Sequence, residues 1–270
     1  MAFKLGDIIV DRLQFGYGAL KNGTPLYALT QLKEASIDIT ADSTDVTDKD
    51  GNLVYRKYSG KKGEVTAQNA FINLAVIETL SATDAEIATA SNGVVMPIIT
   101  TVKANEKIEI TGYVTNTIVV NALSTKGSMG TNYTLATGST ASPTEYAIEE
   151  DKSVSPSKFY LVPPTDPDEV QYIVKFKKTV YSGAKITNSG DKFPTTHELF
   201  FKALVVDPCE KESLRAAIIH IPSFIPSPEF SLALQGGDTQ TMDYKGAMML
   251  DTCSVDKELF SLYLIDEIED

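Results

Sequence analysis

Gln171-Tyr-Ile-Val-Lys-Phe-Lys177 decides the fold class. Tyr172, Val174 and Phe176 alternate with Gln171, Ile173, Lys175 and Lys177, a period of two that sets apolar side chains on one face of a strand and mostly polar ones on the other. The pattern recurs in both directions along the chain. Ile37 and Ile39 bracket Asp38, Val65 and Ala67 bracket Thr66, and Ile108 and Ile110 bracket Glu109. Phe230, Leu232 and Leu234 alternate with Glu229, Ser231 and Gln235, and Phe260, Leu262 and Leu264 repeat the spacing. Leu199-Phe-Phe-Lys-Ala-Leu-Val-Val206 is apolar on both faces apart from Lys202 and ends at Pro208, as expected of a strand covered on both sides or paired into a subunit contact. Ala216 to Ile221 reads alike and is expected to stop at Pro222. Pro222, Pro226 and Pro228 are expected to prevent ladder pairing there, because proline has no N–H to donate.

One helix stands out: Asn69 as cap, then Ala70 to Leu80, with Phe71, Ile72, Leu74, Ala75, Val76 and Leu80 as an apolar stripe. Thr83 and Glu86 have capping-box spacing, which suggests a second short helix over 84–90. From about 121 to 164 the composition shifts to Ser, Thr, Gly, Asn and Pro, with weak strands between turns. The reading is a mainly β chain: an antiparallel sandwich or barrel-forming sheet, one or two flanking short helices and a long hairpin arm. It treats 1–270 as a single domain, with 92–164 as a loop-rich β insertion.

At 270 residues and 43% hydrophobic, the chain can bury a sizeable core. Twenty-four basic against 36 acidic residues give a net charge of −12, which disfavours stable binding to DNA or an anionic membrane. No apolar run approaches the roughly 18 residues of a membrane span, and the first ten residues lack the apolar core of a secretory signal, so cytosolic synthesis is expected. Cys209 and Cys253 are too few for a disulfide framework or a Cys-based zinc site. His197 and His220, the two histidines, have no catalytic motif around them, and nucleophile-elbow, phosphate-loop and zinc-protease signatures are absent. No catalytic, metal or cofactor residue is assigned, and the chain is read as non-enzymatic.

The acidic run Asp42-Ser-Thr-Asp-Val-Thr-Asp-Lys-Asp-Gly51 fails as a calcium loop. Placing Gly51 sixth puts Val46 first and Lys57 last, where acids are needed. Asp50-Gly51 instead suggests a type I′ turn joining two strands. Such an arm is marginal in water by itself, so it is expected to dock on another subunit through Asp42, Asp45, Val46, Asp48, Leu53, Val54, Tyr55, Arg56 and Tyr58. Acids on one strand and Arg56, Lys57, Lys61 and Lys62 on the other suit complementary docking.

Two stretches together resemble the tail tube (major tail) proteins of tailed bacteriophages. One runs from Lys33-Glu-Ala-Ser-Ile-Asp-Ile39 through the hairpin and Lys61-Lys-Gly-Glu-Val-Thr-Ala67 to the helix ending at Leu80. The other comprises Ile218-Ile-His-Ile-Pro222, Glu229-Phe-Ser-Leu-Ala-Leu234, Thr239-Gln-Thr-Met-Asp-Tyr244 and Lys257-Glu-Leu-Phe-Ser-Leu-Tyr-Leu264. The resemblance implies a structural virion protein that forms hexameric rings stacked as a tube, with an acidic lumen through which DNA passes unbound. It also implies assembly in the host cytoplasm, residence in the virion tail, and other tail proteins as partners, such as tape measure, terminator and sheath. Ring closure would pair sheet edges that otherwise aggregate. The competing readings are a capsid decoration or baseplate protein and a carbohydrate-binding sandwich.

Overall fold

A computed structural model describes residues 6–208, 210–232, 241–250 and 257–268; for 210–213 and 266–268 it describes the backbone. The alternating runs become β1 (Ile9–Ala19), β2 (Pro25–Leu29), β3 (Leu32–Thr47) and β4 (Leu53–Asn69), followed by α1 (Leu74–Ser81). Next come β5 (Glu86–Ala88), β6 (Val94–Lys103), β7 (Ile108–Glu109), β8 (Val119–Leu123), β9 (Met129–Leu135) and β10 (Glu145–Asp151). The chain continues with β11 (Lys158–Val162), β12 (Gln171–Val180), β13 (Gly183–Lys185), β14 (His197–Asp207), β15 (Glu210–Pro226), β16 (Met242–Met248) and β17 (Ser261–Ile268). They fall into two compact units, one of residues 1–84 with 186–270 and the other of 85–185. The segment 92–164 lies within the second.

In the first unit the strand order is β2-β1-β14-β15-β16-β4-β3, with antiparallel neighbours and with β17 added to β15. The sheet curls into a nearly closed barrel. Its concave face buries Tyr27, Leu29, Val65, Phe201, Ile221, Phe224 and Tyr244, and Val76, Ile77 and Leu80 of α1 join this core. The helix starts later than the Asn69 reading has it. Asn73 is the cap, accepting from the Ala75 and Val76 N–H groups at 3.0 and 3.2 Å and donating to the Ala28 carbonyl at 2.7 Å. Asn69 instead accepts from the Gln31 N–H and donates to the Phe71 carbonyl, so Phe71 lies outside the helix and is exposed.

The second unit holds a seven-stranded sheet, β6-β12-β8-β9-β10-β11-β7, with β9 and β10 parallel and the other pairs antiparallel, and a separate two-stranded one. Tyr172, Val174 and Phe176, the apolar face of the opening alternation, are buried with Val102, Ile110, Val120, Tyr133 and Leu161. Tyr133 and Tyr172 meet edge-on at 5.5 Å and anchor their hydroxyls on Asp166 and the Pro164 carbonyl. The expected helix over 84–90 is strand β5, paired with β13 and linked to it by Lys185–Glu86 at 2.6 Å. Here tertiary pairing overrides a local capping signal.

The proline-rich stretch also departs from expectation. β15 passes through Pro222, which falls in a register irregularity between Ile221 and Phe224, and ends at Pro226. A bulge tolerates the missing donor. Conversely, the expected strand over 229–234 is irregular across 229–232, following Pro226 and Pro228. Leu234, Cys209 and Cys253 lie outside the described residues.

Candidate assembly surface

The surface that the fold leaves unfinished begins at the hairpin arm. From Asp42↔Ser59 to Thr47↔Leu53 the two strands β3 and β4 pair with each other, and every side chain from 42 to 62 is exposed. Val54 and Tyr58 are 67% and 66% exposed, and Val46, Leu53 and Tyr55 are exposed as well. Across the ladder Val46 lies opposite Tyr55, and Asp45 opposite Arg56. The guanidinium grips Asp45 through two bonds of 2.6 and 2.8 Å. That holds the Asp45 carboxyl below its ordinary range, chiefly through the hydrogen bond, and raises Arg56. Lys62 reaches Asp42 at 3.4 Å.

The turn is longer than a type I′ pair. Asp48 accepts from the Asp50 and Asn52 N–H groups at 2.9 and 2.8 Å and from the Asn52 amide at 3.1 Å. These contacts, led by the Asn52 amide, lower the Asp48 pKa. Gly51 has φ of 85° and Asp50 has no positive φ, so the double left-handed geometry of type I′ is not formed. At the base of the arm, Ala41 faces both Gly60 and Lys61, and Gly60 has φ of 61°. This is a glycine bulge, which bends and twists the ribbon.

The structure thus brings all nine sequence-assigned residues, Asp42 through Tyr58, onto one exposed ribbon. Asp48 builds the turn, Asp45 and Arg56 lock the register, and the apolar members present surface. The sequence reading missed a second feature. β15 lends one edge to β14 along its length and divides the other between β16, over Phe224–Pro226, and β17, over Arg215–His220. The sheet therefore forks. One branch continues through β16 to β4 and β3; the other ends at β17, whose second edge has no partner among the described residues. Consecutive Leu262, Tyr263, Leu264 and Ile265 mark this strand as apolar on both faces; that run was a signal for the strand, not for the fork.

The convex face of β3, β4 and β16 is polar. Asp38 is directly opposite Glu64, Glu34 opposite Gln68, and Asp243 opposite Gln68 on the other side. Ser36 and Thr66 bond across the ladder at 2.9 Å, and Lys245 reaches Glu229 at 2.8 Å. Directly opposed acids disfavour a ladder, so Asp38 and Glu64 are not there for the stability of the sheet.

His197 is fully buried among Tyr27, Tyr244 and Phe224. His220 stacks on Phe200 at 4.4 Å with planes 5° apart. Among the described residues no cluster of three His, Cys, Asp or Glu is placed to hold a metal ion, and no helix is long and apolar enough to cross a membrane.

No curated protein matches the chain. A family model described as the YomU/Tube protein family matches residues 7–258. With an exposed ribbon, an unfinished sheet and a family match over nearly its whole length, the chain belongs to the YomU/Tube protein family, a phage-associated family of tube-like proteins.

Proposed function

We propose that copies of this phage tube protein close into hexameric rings that stack into the tail tube and conduct DNA during ejection. The observation that carries the reading is the arm: a two-stranded ribbon with five large apolar side chains in water is not a stable end state. A neighbouring copy would supply what it packs against. The hexamer and the conduit follow the tail-tube resemblance.

Charge distribution supports the same reading. Residues 85–185 carry nine lysines against ten acids, so nearly all of the net −12 lies in the other unit. The convex face of β3, β4 and β16, with Glu34, Asp38, Glu64 and Asp243, is the surface we assign to the lumen. Phosphates would be repelled there and slide without sticking.

Negative-stain electron microscopy of the purified chain at increasing concentration tests this. Six-membered rings or hollow tubes are expected. Monomers at every concentration would sink the proposal, and isolated rings that never stack would favour a decoration or baseplate role.

A further inference from the structure

We infer that the arm of one copy adds as a strand to the free edge of β17 in a second copy, using the edge of β4 that runs from Leu53 to Lys62. The inference rests on the tube reading and names the pairing within it.

Two unpaired edges of the first unit stand out. β4 pairs with β16 from Gly63 to Asn69, but beyond Gly63 its second edge has no strand among the described residues. Among the described residues β17 pairs with β15 on one side alone. Unpaired N–H and C=O groups along a flat strand are a template for another chain. Both edges are also apolar on both faces. On β17 the adjacent residues Leu262 and Tyr263, which point to opposite faces, are 50% and 51% exposed. On β4 the same holds for Val54 and Tyr55. Strand addition would cover both faces of each at once.

Charge selects this pairing over the alternatives. The β17 sequence turns acidic at Asp266-Glu267, followed by Glu269-Asp270. The arm's other edge, on β3, also has no partner among the described residues, but that side of the arm carries Asp42, Asp45 and Asp48 and would repel β17. β4 carries Arg56, Lys57, Lys61 and Lys62. Asp45 and Asp42 neutralise Arg56 and Lys62 within the arm, while Lys57 and Lys61 have no carboxylate partner among the described residues. Two lysines on one edge and two acids on the other are the complement that steers such an encounter. A β17 edge pairing in parallel with its own copy would instead set acid against acid.

The test uses the full chain with Cys209→Ser and Cys253→Ser. One population carries Tyr55→Cys, another Tyr263→Cys, and the two are mixed under assembling conditions and mildly oxidised. A disulfide-linked heterodimer is expected. It should form also with Lys57→Cys against Ile265→Cys, two residues further along both strands and on the same face, and not with Phe193→Cys as the partner of either arm position. Circular dichroism confirms that each variant is folded. In a second arm, Lys57→Glu with Lys61→Glu should raise the protein concentration needed for assembly by about tenfold, and mixing with Asp266→Lys plus Glu267→Lys chains should restore it. Rings or tubes that form without either cross-link overturn the pairing and leave the tube reading intact. Absence of both cross-links and assembly overturns the two together.

Discussion

His197 shows how one buried polar group shapes the pH response of the barrel. Its Nδ1 faces the Thr195 carbonyl at 3.2 Å, and a carbonyl can only accept, so Nδ1 carries a proton, while burial disfavours a second one on Nε2. Nε2 accepts from the Tyr27 hydroxyl at 2.7 Å, and the Tyr244 hydroxyl bonds Tyr27. Burial lowers the His197 pKa and raises those of both tyrosines. The unfolded chain therefore binds a proton below pH 6.5 that the folded chain refuses. Stability is fully present above that pH and is lost as pH falls toward the folded value, by at most about 1.4 kcal/mol per pH unit. Urea unfolding from pH 7.5 to 5 should show a steeper loss in the native chain than in His197→Gln, which is less stable throughout but lacks this proton. Gly51 gives a second residue-scale expectation. A Cβ at φ 85° meets no atom within 4 Å, so Gly51→Ala costs backbone strain alone, about 1 kcal/mol. Hydrogen exchange at the arm amides should quicken roughly fivefold, with the barrel amides unchanged.

The arm and the fork are the elements on which assembly turns. Deleting Thr44–Tyr58 removes side chains that bury nothing in their own unit, so the variant should keep the unfolding midpoint of the parent and yet form no tubes in electron micrographs. Tubes of normal length from that variant would exclude the arm from assembly. The fork depends on close backbone approach at Gly246, where a Cβ would lie 2.4 Å from the Ile225 carbonyl oxygen and 2.7 Å from Pro226 Cα. Backbone cannot yield as a side-chain tip can. Gly246→Ala should cost roughly 1–3 kcal/mol by parting β16 from β15, and the loss should appear as a lower denaturant midpoint.

At the scale of the whole molecule, residues 85–185 enter and leave through the paired strands β5 and β13 and enclose their own core. Adjacent ends and a separate core are the marks of an inserted domain. Expressed alone, 85–185 should fold and unfold in one cooperative transition, with Tyr172→Ala, which empties the centre of that core, abolishing it. A calorimetric trace without a transition would show that the segment depends on the rest of the chain.

Strand identity was legible where the alternation is regular and one face is buried, as at Tyr172, Val174 and Phe176, but β6, whose burial also alternates, was not read from the sequence. The exposed ribbon was legible too, from Asp50-Gly51 and the unmixed charges on either side. Local signals misled where pairing across the chain outweighed them. The Thr83–Glu86 capping box lost to the ladder between β5 and β13, and Pro222 sits inside a strand because a bulge absorbs its missing N–H. The turn needed three-dimensional detail, since Asp48 closes it with its side chain and leaves Gly51 as its left-handed residue. Nothing in the order of residues announces that β15 divides its edge between β16 and β17. That fork depends on which distant strands arrive beside it, and with it the free edge on which the proposed contact between copies depends.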